Sequence, residues 1–217
     1  MLPRVTPINP ARLAAPFDHS DFLYELKMDG FRCVAYIEDG RCELVSRKRN
    51  TYKSFAGLAT AMAALRVKSA ILDGEIVCLD GDGRSLFLDL LRRRRHDAVF
   101  YAFDLLWLDG EDLRGLPLIE RKRRLRRLVR VSRNHSLLYA DHIDGHGVKF
   151  FGVVCGRDCE GIVAKHKRAT YGVQGPAGWF KILNPAYTQK RGRREMFEGF
   201  RTRSGASDAL RVARSAP

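Results

Sequence analysis

The chain has 217 residues, of which 45% are hydrophobic and 10% aromatic, a composition typical of one sizeable globular domain. No apolar run approaches the about 18 residues that cross a bilayer, and the proline-rich, polar N-terminal segment lacks the apolar core of a signal peptide. From the absence of such segments we expect an intracellular protein without a membrane partner. A formal net charge of +14 predicts attraction to a polyanion, most commonly nucleic acid.

The positive charge is concentrated in three segments. Arginines fill positions 92–95, the segment RKRRLRR covers 121–127, and a basic tail begins at Lys190. Charge alone does not distinguish a nucleic-acid-binding protein from an enzyme that acts on nucleic acid.

The five cysteines form no CxxC pair and are odd in number, which favours free thiols buried in apolar segments. A zinc site at Cys155 and Cys159 would need a second pair of ligands, which the sequence does not offer.

Short apolar runs separated by turn residues predict mostly strands from Phe22 onward. FRCVAYI and RCELVSR, joined through EDG, predict a β-hairpin with Asp39 and Gly40 in the turn. AILDGEIV predicts a strand, and the almost wholly apolar AVFYAFDLLWL predicts a buried one. Between the hairpin and these strands, helical spacing predicts an amphipathic helix with Phe55, Leu58, Met62 and Leu65 on one face.

The segment PLIERKRRLRRLV predicts a helix with Pro117 in its first turn and an inner stripe of Leu118, Leu125, Leu128 and Val129. Its remaining face is densely basic, and a solvated face is at least as good an interpretation as a DNA contact. VKFFGVVCGRD predicts a second helix, and EGIVAKH and GWFKIL predict the last strands.

The part of the chain after Pro185 is polar, basic and too short for an ordinary second domain. We therefore predict an N-terminal arm over residues 1–20, one domain over 21–186, and a flexible basic tail over 187–217.

The chain lacks the P-loop motif GxxxxGK[ST], GxSxG and HExxH. It contains instead, in this order, ELKMDGFR, SRKRNTY, DGEIV, FYAFDLLWLDG, EGIVAKH and WFKIL. Each motif is weak alone, but the ordered set resembles the covalent nucleotidyltransferase superfamily, specifically ATP-dependent DNA ligases of the bacterial end-joining type. The resemblance extends from about Phe22 to Pro185.

This resemblance implies an α+β fold, with two mostly antiparallel sheets flanked by helices around a nucleotide-binding groove. It implies that Lys27 attacks the α-phosphate of ATP and forms a lysyl-AMP phosphoramidate, from which AMP passes to a DNA 5′-phosphate during strand joining in DNA repair. The implied metal is Mg²⁺ or Mn²⁺. DNA ends are the implied partner, with other end-joining proteins as further candidates, in the bacterial cytoplasm.

The remaining site residues are also carried over by resemblance. The lysine amine must be unprotonated to attack, and the implied sources of positive field are Arg32, Lys181 and the metal. The metal itself would be held by Glu160. The residues with implied nucleotide contacts are Glu25 (adenine amino group), Asp29 and Gly30 (the KxDG turn), Arg47 (ribose or phosphates), Glu75 (ribose hydroxyls) and Phe103 (adenine stacking). For Phe103, core packing is an equally good interpretation.

The sequence departs from the family pattern at three points. Arg49 replaces a glycine in the SRxG motif, and because a β-carbon resists left-handed geometry we expect the turn to differ there. Leu183 replaces the second lysine of WxKxK, which removes a phosphate-facing cation. From the short stretch of sequence after this motif we also expect no OB-fold domain, which the resemblance implies at this point in full-length ligases.

These departures leave two alternatives open. One is a remnant that binds ATP or DNA without catalysis. The other is an RNA ligase or a capping-type guanylyltransferase, since those enzymes share KxDG, although the FYAFDLLWLDG segment favours a DNA ligase.

Overall fold

The computed structural model describes residues 1–92, 97–172 and 178–189. The basic tail from Lys190 onward and most of the arginine run at 92–95 lie outside the described residues. In chain order the strands are β1 (Ala11–Leu13), β2 (Phe22–Leu26), β3 (Phe31–Glu38), β4 (Arg41–Ser46), β5 (Ser69–Val77), β6 (Val99–Leu108), β7 (Glu111–Asp112), β8 (Leu137–Tyr139), β9 (His142–Asp144), β10 (Gly161–His166) and β11 (Trp179–Leu183). The α-helices are α1 (Ala56–Ala63), α2 (Phe87–Leu91), α3 (Leu118–Ser132) and α4 (Gly147–Gly156), and Lys53–Phe55 forms a short 3-10 helix.

The strands form two sheets. Sheet A has the order β1-β11-β10-β2-β9, and sheet B has the order β4-β3-β5-β6-β7, with β8 paired to β6. Within the described residues, the pairings are antiparallel except for β1 with β11 and β6 with β8. The predicted α+β architecture is therefore confirmed, and the part of the chain that the structure covers contains no OB-fold domain.

The predicted hairpin is confirmed, and its turn has the expected geometry. Asp39 and Gly40 both have positive φ, 51° and 70°, as a two-residue turn that matches strand twist requires. The turn joins β3 to β4 in continuous register from Cys33 opposite Ser46 to Glu38 opposite Arg41.

Three apolar layers hold the sheets together. Helices α1 and α3 cover one face of sheet B, where Met62 and Leu125 are fully buried beside β5 and β6. The layer between the sheets contains Leu23 and Trp179. Helix α4 covers the other face of sheet A through Val154.

Helix α3 differs from its prediction on one face. Its apolar stripe is as expected, but Arg121 and Lys122 are fully buried instead of solvated. Arg121 makes two hydrogen bonds of 2.8 Å to Asp104 on β6, which compensates both charges. The interpretation of the whole basic face as solvated was therefore wrong for these two residues.

Both chain segments predicted to lie outside the domain contact it. The segment 1–20 contributes β1 to sheet A, and the Ile8 carbonyl accepts a hydrogen bond of 3.4 Å from Arg32. Gln189 donates to the Ser85 carbonyl at 2.7 Å. The domain boundaries at 20 and 186 stay a prediction.

Among the helices that the structure describes, none combines the length and the apolar character required to cross a bilayer.

Candidate active site

A pocket of about 200 Å³ lies between the two sheets, and we call it the intersheet pocket. The structure brings together all ten predicted site residues in its lining: Glu25, Lys27, Asp29, Gly30, Arg32, Arg47, Glu75, Phe103, Glu160 and Lys181. They come from both sheets and from the turn after β2, so their proximity depends on the packing of sheet A against sheet B.

Lys27 follows β2 directly and is anchored at its backbone. Its N–H donates to the Gly161 carbonyl at 2.9 Å, and its amine donates to a carboxylate oxygen of Glu160 at 2.7 Å. The side chain of Lys27 remains 25% exposed, so a ligand can reach the amine.

The turn after Lys27 is fixed by close packing. A β-carbon at Gly30 would lie 2.3 Å from the Ile76 carbonyl oxygen, so a glycine is needed here for space. Asp29 is buried, accepts a hydrogen bond of 3.1 Å from the Tyr187 hydroxyl, and donates its backbone N–H to Ser85 at 3.2 Å.

Arg32 lines the pocket but is engaged by a carboxylate. Its guanidinium donates twice to Asp73, at 2.8 and 2.6 Å, and the Tyr171 hydroxyl donates to the same carboxylate at 2.6 Å. The positive field that we expected from Arg32 at Lys27 is therefore partly compensated by Asp73.

Glu75, on β5, has a strongly perturbed acidity. Burial raises its pKa to about 7, nearby Lys27 and Arg32 oppose the rise, and the charges of Glu160 and Asp29 reinforce it. A bound cation or a network of hydroxyl donors would favour its ionised form.

Phe103 lies at a β-bulge. Asp73 pairs with Asp104, but the next residue, Gly74, pairs with Ala102, which leaves Phe103 as the extra residue on β6. Bulges re-aim side chains and are common beside active sites. Phe103 packs edge-on against Trp179 with ring centroids 5.8 Å apart, so it lines the pocket and also contributes to the core.

The carboxylate of Glu25 lies between two buried lysines. Lys122 of α3 binds one oxygen, and Lys165 of β10 binds the other at 2.5 Å. Burial opposes ionisation of Glu25, but the two lysines outweigh it and hold its pKa below the ordinary value. Burial lowers the pKa of Lys165 to about 8, and its amine lies 3.8 Å from the centre of the Trp179 ring.

The departures from the family pattern have different consequences. Lys181 lines the intersheet pocket, whereas Leu183, two residues further along β11, does not. The expectation that Arg49 avoids left-handed geometry was wrong, because Arg49 has a φ of 63°. Hydrogen bonds of 2.9 Å from Arg49 N–H to the Ser46 carbonyl and from Ser46 N–H to the Asn50 carbonyl hold the turn in this conformation.

The acidic side chains fit a magnesium ion that is shared with a phosphate ligand. No group of three or more potential metal ligands occurs within the described ranges, so a metal site built from protein alone is not formed there. Mg²⁺ is usually held by one or two carboxylates together with substrate phosphates and water. Glu160 offers such a carboxylate in the lining of the intersheet pocket, which it shares with Glu75.

The sequence reasoning missed several residues that shape the pocket. These are Asp73, Lys122, Lys165, Trp179 and Tyr187. A signal for Lys122 was present, because it lies four residues after Leu118 and three before Leu125, a core position filled by a charge. Asp73 carried a similar signal, because it directly follows the apolar run Ala70–Leu72 of a predicted strand.

The fold is that of the nucleotidyltransferase domain of DNA ligases. A structure described as mycobacterial DNA ligase D complexed with ATP and MES superposes with a TM-score of 0.72 at 27% identity, covering 82% of this chain and 60% of that one. The sequence profile of the ATP dependent DNA ligase domain matches residues 2–182. The chain therefore belongs to the ATP-dependent DNA ligase domain family, in agreement with the order of its motifs.

Two relatives show how far the similarity extends, and one of them carries an end-joining name. The multifunctional non-homologous end joining protein LigD of Pseudomonas aeruginosa is 30% identical over 167 residues, which are 75% of this chain and 20% of that protein. A DNA ligase of Pyrobaculum calidifontis is 35% identical over 171 residues, which are 71% of this chain and 29% of that protein. The chain thus spans less than a third of the length of these relatives, and it resembles the bacterial end-joining type.

Proposed function

We propose that this chain catalyses the adenylation steps of ATP-dependent DNA strand joining. Lys27 accepts AMP from ATP, and the AMP then passes to a DNA 5′-phosphate. The observation that carries the proposal is the position of Lys27, whose amine is 2.7 Å from Glu160 in a pocket that also contains Glu75 and Lys181.

The base end of the pocket suits adenine. Phe103 and Trp179 provide aromatic walls, where stacking contributes about 1 kcal/mol. The Glu25 carboxylate, held ionised by Lys122 and Lys165, accepts a hydrogen bond from the adenine amino group. Guanine has a carbonyl oxygen in place of that amino group. The Glu25 carboxylate would then face a second acceptor and could form no hydrogen bond with it.

The middle of the pocket suits ribose and phosphate. Glu75 accepts hydrogen bonds from the ribose hydroxyls, and Arg47 contacts the ribose or phosphates from the exposed rim. Glu160 would hold Mg²⁺ or Mn²⁺ together with the phosphates, and the metal would neutralise phosphate charge. Asp29 and Gly30 fix the turn that places Lys27.

The covalent step moves AMP from ATP to Lys27. The Lys27 amine gives up a proton, for which Glu160 is the nearest acceptor, and its nitrogen attacks the α-phosphorus. The P–N bond forms as the bond from the α-phosphorus to the pyrophosphate oxygen breaks, and Lys181 stabilises the negative charge that develops. In the second step the P–N bond breaks as a DNA 5′-phosphate oxygen attacks the same phosphorus. The DNA 3′-hydroxyl oxygen finally attacks the phosphorus of that 5′-phosphate, so that the phosphodiester bond forms as the anhydride bond to AMP breaks and the hydroxyl proton passes to solvent.

Labelling with ATP that is radioactive at the α-phosphate tests the proposal. We expect label that survives denaturation in the wild type, in the presence of Mg²⁺, and none in Lys27→Ala. Lys53→Ala is the matched control, since Lys53 is exposed on the short 3-10 helix and should label like the wild type. The absence of any covalent label on the wild-type protein with ATP and Mg²⁺ or Mn²⁺ would contradict the proposal.

A non-catalytic remnant is the second candidate, because Leu183 leaves the family's second lysine position without a cation. It predicts salt-sensitive DNA binding without covalent label. A guanylyltransferase would take label from GTP in preference to ATP, so the same assay with both nucleotides separates the three functions.

The wider setting follows from the relatives. We propose that the chain acts on DNA ends in the bacterial cytoplasm, with other end-joining proteins as partners. The name of the Pseudomonas aeruginosa relative supports this setting.

A further inference from the structure

A second concave surface lies between α3 and the strands β8 and β9, away from the intersheet pocket. We call it the α3 groove, and it encloses about 470 Å³. It shares no lining residue with the intersheet pocket, although its buried Lys122 contacts Glu25 of that site. Its lining consists of Ile119, Glu120, Lys122, Arg123, Arg126, Arg127, Arg130, Tyr139 and His142.

The groove carries an excess of positive charge. Arg123 is paired with Glu120 at 2.7 Å, but no ion pair joins Arg126, Arg127 or Arg130 to a carboxylate within the ranges that the structure describes. All three are exposed, so their guanidinium groups are accessible to a ligand.

The spacing of these arginines matches a regular polyanion. The four arginines that line the groove, Arg123, Arg126, Arg127 and Arg130, lie at positions i, i+3, i+4 and i+7 of α3 and therefore share one helix face. At 1.5 Å per residue they cover about 10 Å. That length corresponds to about three phosphates of one DNA strand, at about 3.4 Å per phosphate along the duplex axis.

The opposite wall of the groove adds an aromatic surface. The Tyr139 ring lies 5.8 Å from the Arg126 guanidinium carbon, and its hydroxyl is 3.4 Å from the Nδ1 atom of His142. Arginine guanidinium groups beside hydroxyl and imidazole groups are typical hydrogen-bond donors to phosphate oxygens.

We propose that the α3 groove binds the sugar-phosphate backbone of DNA at a distance from the reacting ends. Charge complementarity selects a polyanion, and DNA is favoured because it is the substrate of the proposed function, on which this inference rests for its ligand. Backbone binding here would add affinity without sequence preference.

DNA binding measured over a series of salt concentrations tests the inference. The full chain, its Arg126→Gln/Arg127→Gln/Arg130→Gln variant and a control variant are titrated into a fluorescent nicked duplex. The control is Arg41→Gln/Arg66→Gln/Lys68→Gln, which removes the same charge from exposed residues outside the groove.

We expect the groove variant to lower the slope of log K against log salt by about 2 to 3, since each lost phosphate contact contributes about 0.9. The control variant should change the slope by much less. An equal loss in the two variants would mean that only overall charge matters, and would overturn the inference, as would an unchanged slope in the groove variant. Selective loss of binding to polyglutamate, with DNA binding unchanged, would assign the groove to an acidic protein instead.

Self-adenylation of the same variants separates this inference from the proposed function. The groove variant should take up label from ATP at the wild-type rate, because its three arginines lie outside the intersheet pocket. The wild type could take up no label while the groove variant still binds DNA more weakly than the control variant. In that case the proposed function is wrong, but the assignment of the α3 groove as a DNA-binding surface is retained.

Arginine modification of the wild-type chain avoids any effect of substitution on folding. Bound duplex should protect Arg126, Arg127 and Arg130 from phenylglyoxal, as read by mass spectrometry of peptides. Equal modification with and without saturating DNA would overturn the inference.

Discussion

At the scale of single residues, the acidity of Glu75 links the pocket to solution pH. A carboxyl whose pKa is raised to about 7 binds a proton in the folded state that the unfolded chain releases near its ordinary value of 4.5. Between these two pH values the folded state holds more protons than the unfolded state, so folding stability falls as pH rises.

We predict that Glu75→Gln removes this loss. Between pH 4.5 and 8 the wild type should lose about 1 to 3 kcal/mol relative to the variant, because each pKa unit corresponds to about 1.4 kcal/mol. Urea unfolding at several pH values measures the difference. Parallel stability profiles for the two proteins would show that Glu75 is ionised normally in the fold.

Arg49 adopts the left-handed conformation that a glycine adopts more easily, contrary to the expectation that the turn would differ there. A non-glycine residue in left-handed geometry is disfavoured by about 1 to 2 kcal/mol. The hydrogen bonds that close the turn at Ser46 keep Arg49 at a φ of 63° nevertheless. The backbone geometry expected of the family's glycine is therefore retained without the glycine.

At the scale of secondary-structure elements, helix α3 has two different basic faces. The inner face carries Arg121 and Lys122, each compensated by a carboxylate of a strand. The outer face forms one wall of the α3 groove. Because Lys122 binds Glu25, the helix also supports the base end of the intersheet pocket.

We predict that Lys122→Met destabilises the fold by about 2 to 4 kcal/mol, because it removes one of two cations that compensate the buried Glu25. The double variant Lys122→Met/Glu25→Gln should lose less than the sum of the two single variants, because a neutral residue at position 25 no longer needs the charge of Lys122, while Lys165 lacks its carboxylate in both variants that carry Glu25→Gln. Chemical unfolding of the two single variants and the double variant measures the coupling. Additive effects would contradict the assignment of Lys122 as the partner of Glu25.

At the scale of the whole molecule, segments from both ends of the described residues contact the pocket or the turn beside it. The segment before β2 supplies Ile8, Asn9 and Pro10 to the pocket lining. After β11, Tyr187 reaches back across 158 positions of sequence to Asp29 in the turn beside Lys27. The candidate site is thus assembled from most of the length of the described chain.

We predict that Tyr187→Phe lowers the free energy of unfolding by about 1.5 to 3 kcal/mol, as expected for a hydrogen bond to a charged group. It should also slow self-adenylation, because Asp29 belongs to the turn that places Lys27. Tyr36→Phe is the control, since its hydroxyl accepts a hydrogen bond of 2.9 Å from the Val5 backbone N–H outside the intersheet pocket, and it should leave adenylation unchanged. An identical adenylation rate in Tyr187→Phe would contradict the supporting role of Tyr187.

The sequence by itself determined the family and most elements of the fold. The motif order indicated a DNA ligase nucleotidyltransferase, and periodicity placed the hairpin, α1, α3, α4 and the apolar strands, because local side-chain spacing reflects which face of an element is buried. Through its resemblance to a known family, the sequence also identified ten residues that line the intersheet pocket.

Only the tertiary structure decided how charges are compensated inside the molecule. Lys27 and Glu160 are 133 positions apart, and Glu25 and Lys122 are 97 apart, so no local pattern could pair them. A buried charge is tolerated only with an opposite partner close by, and that partner is defined by how sheet A, sheet B and α3 pack together. The same packing left the outer arginines of α3 exposed, and so separated structural cations from those available to a ligand.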